Sequence, residues 1–115
     1  NKMTGRIGDS PIIGSGTYAD NDSVAVSCTG TGDIYMRVNA AHEVSALYKY
    51  KTSDVQKAAE EAVKEVAALG GSGGIISIDK YGKTGFAWTK DKLGMYHGEA
   101  RLGAKPVVYW PLGEK

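Results

Sequence analysis

Two short stretches carry residue types that could do chemistry. The first, Gly5-Arg6-Ile7-Gly8-Asp9-Ser10-Pro11, sets a cation and an anion three residues apart. Proline stiffens this loop and two glycines loosen it, so both charges can be presented to one ligand. The carboxylate and ammonium of an amino acid would suit them. The same residues would equally serve as an Arg6–Asp9 salt bridge that pins the loop. The second stretch, Thr29-Gly30-Thr31-Gly32, joins an apolar strand to a helix. Its backbone N–H groups are free, and a helix N-terminus adds roughly half a positive charge. Such a turn stabilises anions, including a developing oxyanion. A plain strand-to-helix connection has the same composition.

Other constellations fall away on residue type. A Cys–His pair would need Cys28 to meet His42 or His97. Cys28 sits in an apolar strand and His42 beside Glu43 on a buried helix, so a core thiol and a packing histidine are expected. Cysteines and histidines are too few for a zinc site, and no metal or other cofactor is expected. The Thr29–Gly32 turn lacks the third glycine of a dinucleotide fingerprint and has no Walker lysine. Gly70 to Gly74 follows a helix rather than preceding one, which marks a structural turn.

The elements that must position these loops are legible. Residues 1 to 22 read as loop, rich in Gly, Pro, Asp, Asn and Ser. Ser23 to Cys28 alternates Val24, Val26 and Cys28 with small residues, a strand buried on both faces. Asp33 is placed to cap a buried helix over about 34–48, with an apolar stripe of Ile34, Val38, Ala41, Val44, Leu47 and Tyr48. Ser53 with Gln56 forms a capping-box pattern for a second helix. Its apolar face is Val55, Ala59, Ala62, Val66 and Leu69, with Glu60 and Lys64 paired on the other face. Gly70 ends it. Ile75 to Ile78, a turn at Asp79-Lys80-Tyr81-Gly82-Lys83, and Gly85 to Thr89 form a hairpin with Phe86 and Trp88 on one face. Asp91 to Lys105 reads as irregular, and Val107 to Trp110 as a last strand before Pro111. Strands and helices are segregated, which argues for α+β with two helices on an antiparallel or mixed sheet.

Composition narrows the function classes. The 115 residues make at most one domain, 42% hydrophobic and 23% charged, enough for a core. A net charge of +1 leaves no footprint for a phosphate backbone, so no nucleic-acid partner is expected. No apolar run approaches the ~20 residues that span a bilayer, and no signal peptide opens the chain. A single cysteine fits a reducing, cytoplasmic setting. The opening Asn1-Lys2-Met3, which reaches a dense motif almost at once, is expected of a processed or truncated product.

Taken together, the two stretches resemble a known family. Asn1-Lys2, Gly5 to Pro11 and Gly14-Ser15-Gly16-Thr17-Tyr18-Ala19-Asp20-Asn21 are similar to the β-subunit of plant-type asparaginases and isoaspartyl peptidases. Ser23 to Gly32 continues the likeness in order and spacing, and Ala68 to Ile76 resembles a later strand of that family. The likeness runs through most of residues 1 to 80. Gly32-Asp33-Ile34-Tyr35-Met36-Arg37 also leans toward the related glycosylasparaginases.

The resemblance implies an N-terminal nucleophile hydrolase, a four-layer αββα sandwich whose precursor cleaves itself. The new N-terminal threonine is the nucleophile, and its α-amine serves as base. That threonine is expected roughly two dozen residues before Asn1, and Thr4, inside the loop, is not it. The piece alone is therefore expected to be inactive and to need an α-subunit from the same precursor, in a dimer of αβ units. By the same likeness Arg6 holds the substrate α-carboxylate, and Asp9 holds the α-ammonium with help from the Gly32 carbonyl. The Thr29 hydroxyl and Gly30 N–H form the oxyanion hole. With both main-chain groups gripped, the reacting group is the side-chain carbonyl of asparagine, a β-aspartyl peptide or glycosylated asparagine. A non-catalytic amino-acid-binding α+β domain is the alternative of a different class.

Overall fold

The computed structural model describes residues 2–91 and 94–109. In chain order they form β1 (Thr17–Ala19), β2 (Val24–Gly30), α1 (Gly32–Val38), α2 (Ala40–Leu47) and a π-helical turn (Tyr48–Thr52). Then come α3 (Val55–Ala68), β3 (Gly73–Asp79), β4 (Thr84–Trp88), β5 (His97–Glu99) and β6 (Val107–Tyr109). Strands β1 to β4 make one antiparallel sheet in sequence order, and β5 pairs with β6 in a separate ladder. The α+β class expected from sequence is what forms. Trp110 and Pro111, the expected end of the last strand, lie outside the described residues.

The helices cover one face of the sheet. Val24, Val26, Cys28, Ile75 and Ala87 from the strands meet Ile34, Tyr35, Val44, Val55, Ala59, Ala62 and Val66 in one core. Strand β2 is therefore buried on one face and not on two, because Ala25, Ser27 and Thr29 alternate outward. On that same outer face Ile76 is 51% exposed and Ile78 43%. The apolar surface left exposed thus belongs to the sheet.

That helix is broken in two. Asn39 takes a left-handed conformation (φ 56°, ψ 48°), which asparagine tolerates better than most residues. The break lets α2 start afresh, with its first N–H groups held by the preceding loop. Ala41 N–H donates to the Ser15 carbonyl at 3.1 Å and His42 N–H to the Gly14 carbonyl at 2.8 Å. Helix α1 begins earlier than expected, with Thr31 and not Asp33 at its cap position.

Helix α3 lies where its periodicity puts it, but its cap is one residue on. Asp54 accepts from the N–H groups of Gln56 (2.9 Å) and Lys57 (3.2 Å), while Ser53 turns left-handed at φ 52°. At the far end Gly70 N–H bonds to Ala67 and Gly71 N–H to Val66, a Schellman motif closed by the expected glycine. Leu69 is 46% exposed and drops out of the apolar face, which gains Ala58 and Val63. Glu60 accepts from the Gln56 side chain, and among the described residues it forms no ion pair with Lys64.

Gln56, freed from the capping box, does something else. Its Nε2 donates to the Phe86 carbonyl at 2.8 Å and its Oε1 accepts from the Phe86 N–H at 2.9 Å. The β3–β4 hairpin turns as expected, with Asp79 Oδ1 accepting from the N–H groups of Tyr81 and Lys83 at 2.9 Å each. Two strands escaped the sequence reading, β1 inside the first loop and β5 inside the stretch read as irregular. His97 on β5 reaches back to the β4 aromatics, 4.4 Å from the Phe86 ring and 5.6 Å from the Trp88 ring between centroids.

Candidate active site

The loop over 3–16 is built by short turns. Arg6 N–H bonds to the Met3 carbonyl (3.0 Å), Ile12 N–H to Asp9 (2.9 Å) and Ser15 N–H to Ile12 (3.1 Å). Gly16 then feeds into the sheet, accepting from Cys28 N–H at 2.8 Å. The loop passes so close over Gly16 that a Cβ there would lie 2.2 Å from the Asp9 carbonyl oxygen. This contact presses Asp9 down between the loop and the start of α1.

There Asp9 is only 5% exposed. Its side chain lies against Gly32, where a Cβ would come within 3.0 Å of Oδ1 and 3.2 Å of the Asp9 nitrogen. Asp9 Oδ2 is buried without a hydrogen-bond partner. A buried carboxylate oxygen left unsatisfied costs stability, and such groups call for an explanation in binding or catalysis. Arg6 stands on the exposed arm of the same loop, its guanidinium near Gly8. Among the described residues it makes no ion pair with Asp9, so the charges do not neutralise each other.

The Thr29–Gly32 turn presents what the sequence suggested. Cys28 N–H points toward β1, where it meets Gly16. By the alternation of an antiparallel ladder, Gly30 N–H faces the same edge, beyond the end of β1. Thr29 lies on the exposed face of the sheet beside it. The close approach of β3 requires glycine at position 30. At φ 144°, a Cβ would fall 2.1 Å from the Ser72 carbonyl oxygen and 2.7 Å from the Gly73 Cα. The fold therefore joins Asp9 to Gly32 and, through the turn, to Thr29 and Gly30.

Residues that sequence reasoning passed over also gather here. The Thr31 hydroxyl donates to the Ser72 carbonyl (3.2 Å) and accepts from the Ser72 N–H (3.1 Å). Tyr35, fully buried, extends its hydroxyl toward Gly74 at 3.5 Å. Burial, and then the charges around it, push its ionisation well above the usual tyrosine range. The signal for Thr31 was present in the sequence, a hydroxyl residue between two glycines. That for Tyr35 was hidden in an apolar stripe. An apolar cavity of about 240 Å³ opens beside Thr29, with Gly74, Phe86, Trp88 and Met95 in its wall.

Cys28 is a core thiol. Burial first, and the Asp9 carboxylate second, push its pKa up to about 12. At pH 8 only about one molecule in 10⁴ then carries the thiolate that reacts with alkylating agents. Iodoacetamide should leave the folded protein unlabelled for hours and modify Cys28 promptly in urea, as intact mass would show. His42 packs edge-on against the Tyr18 ring at 5.1 Å between centroids, although the residue is exposed. His97 pairs its Nδ1 with the Met95 carbonyl at 2.7 Å. Neither histidine hydrogen-bonds to Cys28. Among the described residues no group of three His, Cys, Asp or Glu side chains could hold a metal ion, and no helix is long and apolar enough to cross a membrane.

Comparison with known proteins identifies the family. The chain is 46% identical to the isoaspartyl peptidase of Escherichia coli over 109 residues, 94% of this chain and 33% of that protein. It is 45% identical to the isoaspartyl peptidase of Salmonella typhimurium, again over 94% of this chain and 34% of the relative. A probable isoaspartyl peptidase/L-asparaginase of Arabidopsis thaliana is 40% identical over 96% of the chain and 33% of its own length. The chain thus spans about a third of the curated relatives it matches. The sequence profile of the asparaginase family matches residues 1–105. With that match over most of its length, the chain belongs to the asparaginase family.

Proposed function

We propose that this chain is the substrate-gripping part of an amidohydrolase. It hydrolyses the side-chain amide of asparagine or the isopeptide bond of β-aspartyl peptides through an acyl-enzyme. The nucleophile is a threonine outside these 115 residues, exposed by self-cleavage of a precursor. Arg6 binds the substrate α-carboxylate and Asp9 its α-ammonium, with the Gly32 carbonyl as a second acceptor. The Thr29 hydroxyl and Gly30 N–H receive the oxyanion. The observation that carries this reading is Asp9, a buried carboxylate with an unpartnered Oδ2 pressed against the turn that offers the amide donors.

The mechanism follows from this arrangement. A substrate held by both main-chain charges turns its β-carbonyl toward the end of β2. As the threonine attacks, the carbonyl oxygen becomes negative and meets the Thr29 and Gly30 donors, which strengthen as charge develops. Collapse expels ammonia or an amino-group leaving group, and water then releases aspartate. The outer face of the sheet carries β5 over its β4 side but leaves Ile76 and Ile78 about half exposed, which supports a second sheet from an α-subunit and hence a four-layer sandwich.

Asp9→Asn in the self-cleaved, assembled enzyme tests this. The change keeps the shape and removes the charge facing the ammonium. Turnover (kcat/KM) of a β-aspartyl dipeptide should fall by about 10²-fold, the cost of stripping one partner from a buried charge pair. Thermal stability should hold or rise, because an unpaired buried charge is removed. Near-wild-type kcat/KM would remove the basis of the proposal.

A further inference from the structure

Strand β2 ends one residue before α1 begins, and the proposed oxyanion donor Gly30 and the Asp9-facing Gly32 flank the joint. The joint is Thr31. In an antiparallel ladder, residues paired across a hydrogen-bonded rung exchange two bonds, each N–H to the other's carbonyl. Thr31 and Ser72 form the last rung beyond Gly30 and Gly73. Thr31 N–H donates to the Ser72 carbonyl at 2.8 Å, as the ladder requires. The return bond is different, since Ser72 N–H goes to the Thr31 hydroxyl at 3.1 Å and not to its carbonyl. The Thr31 carbonyl instead accepts from Ile34 N–H (3.0 Å) and Tyr35 N–H (3.1 Å), which opens α1.

A side-chain hydroxyl thus stands in for a backbone carbonyl, so that one residue ends a strand and starts a helix at once. A Thr or Ser hydroxyl can accept and donate through one oxygen held close to the backbone. Behind it, Ser72 Oγ donates to Asp91 Oδ2 at 2.6 Å. Asp91 also takes the Thr89 hydroxyl, which in turn accepts from Gly73 N–H at 3.1 Å. The chain Asp91–Ser72–Thr31 runs from the end of β4 to the turn.

We infer that Thr31, backed by Ser72 and Asp91, is a positioning residue for the oxyanion hole. It pins the two peptide planes that flank it, and so anchors the Cα of Gly30, from which the proposed oxyanion N–H extends. Thr31 itself touches no reacting atom. The inference rests on the amidohydrolase reading above.

The experiment compares Thr31→Val, Thr31→Ser and Asp91→Asn with Asp9→Asn in the assembled enzyme on a β-aspartyl dipeptide. Valine keeps the shape and removes the hydroxyl. A donor displaced by about 1 Å can cost up to ~10² in rate, so kcat should fall by about 10- to 100-fold. KM should stay within about twofold, because an oxyanion contact forms only in the transition state. Thr31→Ser should recover most of the loss. Asp91→Asn should lower kcat by a few-fold, again with KM unchanged, and decides the matter if Thr31→Val fails to fold. Unchanged kcat in Thr31→Val, or in Asp91→Asn where Val does not fold, overturns the inference. So does a serine variant as impaired as valine. If Asp9→Asn is also fully active, the amidohydrolase reading itself has failed. If only Asp9→Asn is impaired, that reading stands and the positioning role is lost.

Discussion

Arg6→Ala should abolish turnover of β-aspartyl dipeptides in the assembled enzyme and leave its melting temperature unchanged. The two halves of that result come from one observation. The Arg6 side chain is exposed, and among the described residues it makes neither an ion pair nor a hydrogen bond. Its removal therefore breaks nothing that holds the fold, and exposed substitutions of this kind stay within about 0.5 kcal/mol. The substrate loses much more. A guanidinium meets a carboxylate through two parallel N–H bonds, and losing one partner of such a pair costs about 4 kcal/mol, or ~10³ in kcat/KM. Arg6→Lys should fall between, since an ammonium supplies the charge without the fork. Steady-state kinetics alongside calorimetric melting would check both halves. Residual activity above a tenth of wild type, or a fallen melting temperature with normal kinetics, would return Arg6 to a role in the loop alone.

Gly30→Ala should produce the opposite pattern, a failure of folding before any question of rate. At φ 144° a side chain is already strained, and its Cβ would stand 2.1 Å from the Ser72 carbonyl oxygen. The partner across the ladder is equally constrained, for a Cβ on Gly73 would meet the Thr29 carbonyl oxygen at 2.1 Å. Neither clash is with a flexible side-chain tip, so the strands themselves must part. Destabilisation above about 4 kcal/mol is expected, in the range reserved for gross strain and overpacking. Urea unfolding, or loss of folded protein on expression, would register it. An alanine variant with an unchanged midpoint would mean that β2 and β3 do not approach as closely as described.

The sequence conveyed some of this more readily than the rest. Helix α3 was legible because Val55, Ala59, Ala62 and Val66 recur on one face while Glu and Lys fill the other. The glycine after it was legible because a left-handed terminator is chemically distinctive. The break at Asn39 was not, since its cause lies in the carbonyls of Gly14 and Ser15, far off in the chain. Strand β1 was invisible because its three residues bury almost nothing, and alternation needs a buried face to show. Of the candidate site, the motifs offered Arg6, Asp9, Thr29, Gly30 and Gly32 by likeness. What no pattern could supply was the depth of Asp9, which depends on a loop folding back over Gly16. Likewise, Thr31 looked like one more turn residue until its hydroxyl was seen in the ladder.

One consequence of the Gln56 contact concerns how the sheet can grow. Phe86 offers its outward N–H and carbonyl at the β4 margin, where an incoming strand would need to dock. A side-chain amide already fills both places, acting as a one-residue strand that has no continuation. Lateral extension is thus stopped at that rim by a residue borrowed from the neighbouring helix. Further strands have the β1 edge to join, and a further layer has the part of the outer face around Ile76 and Ile78.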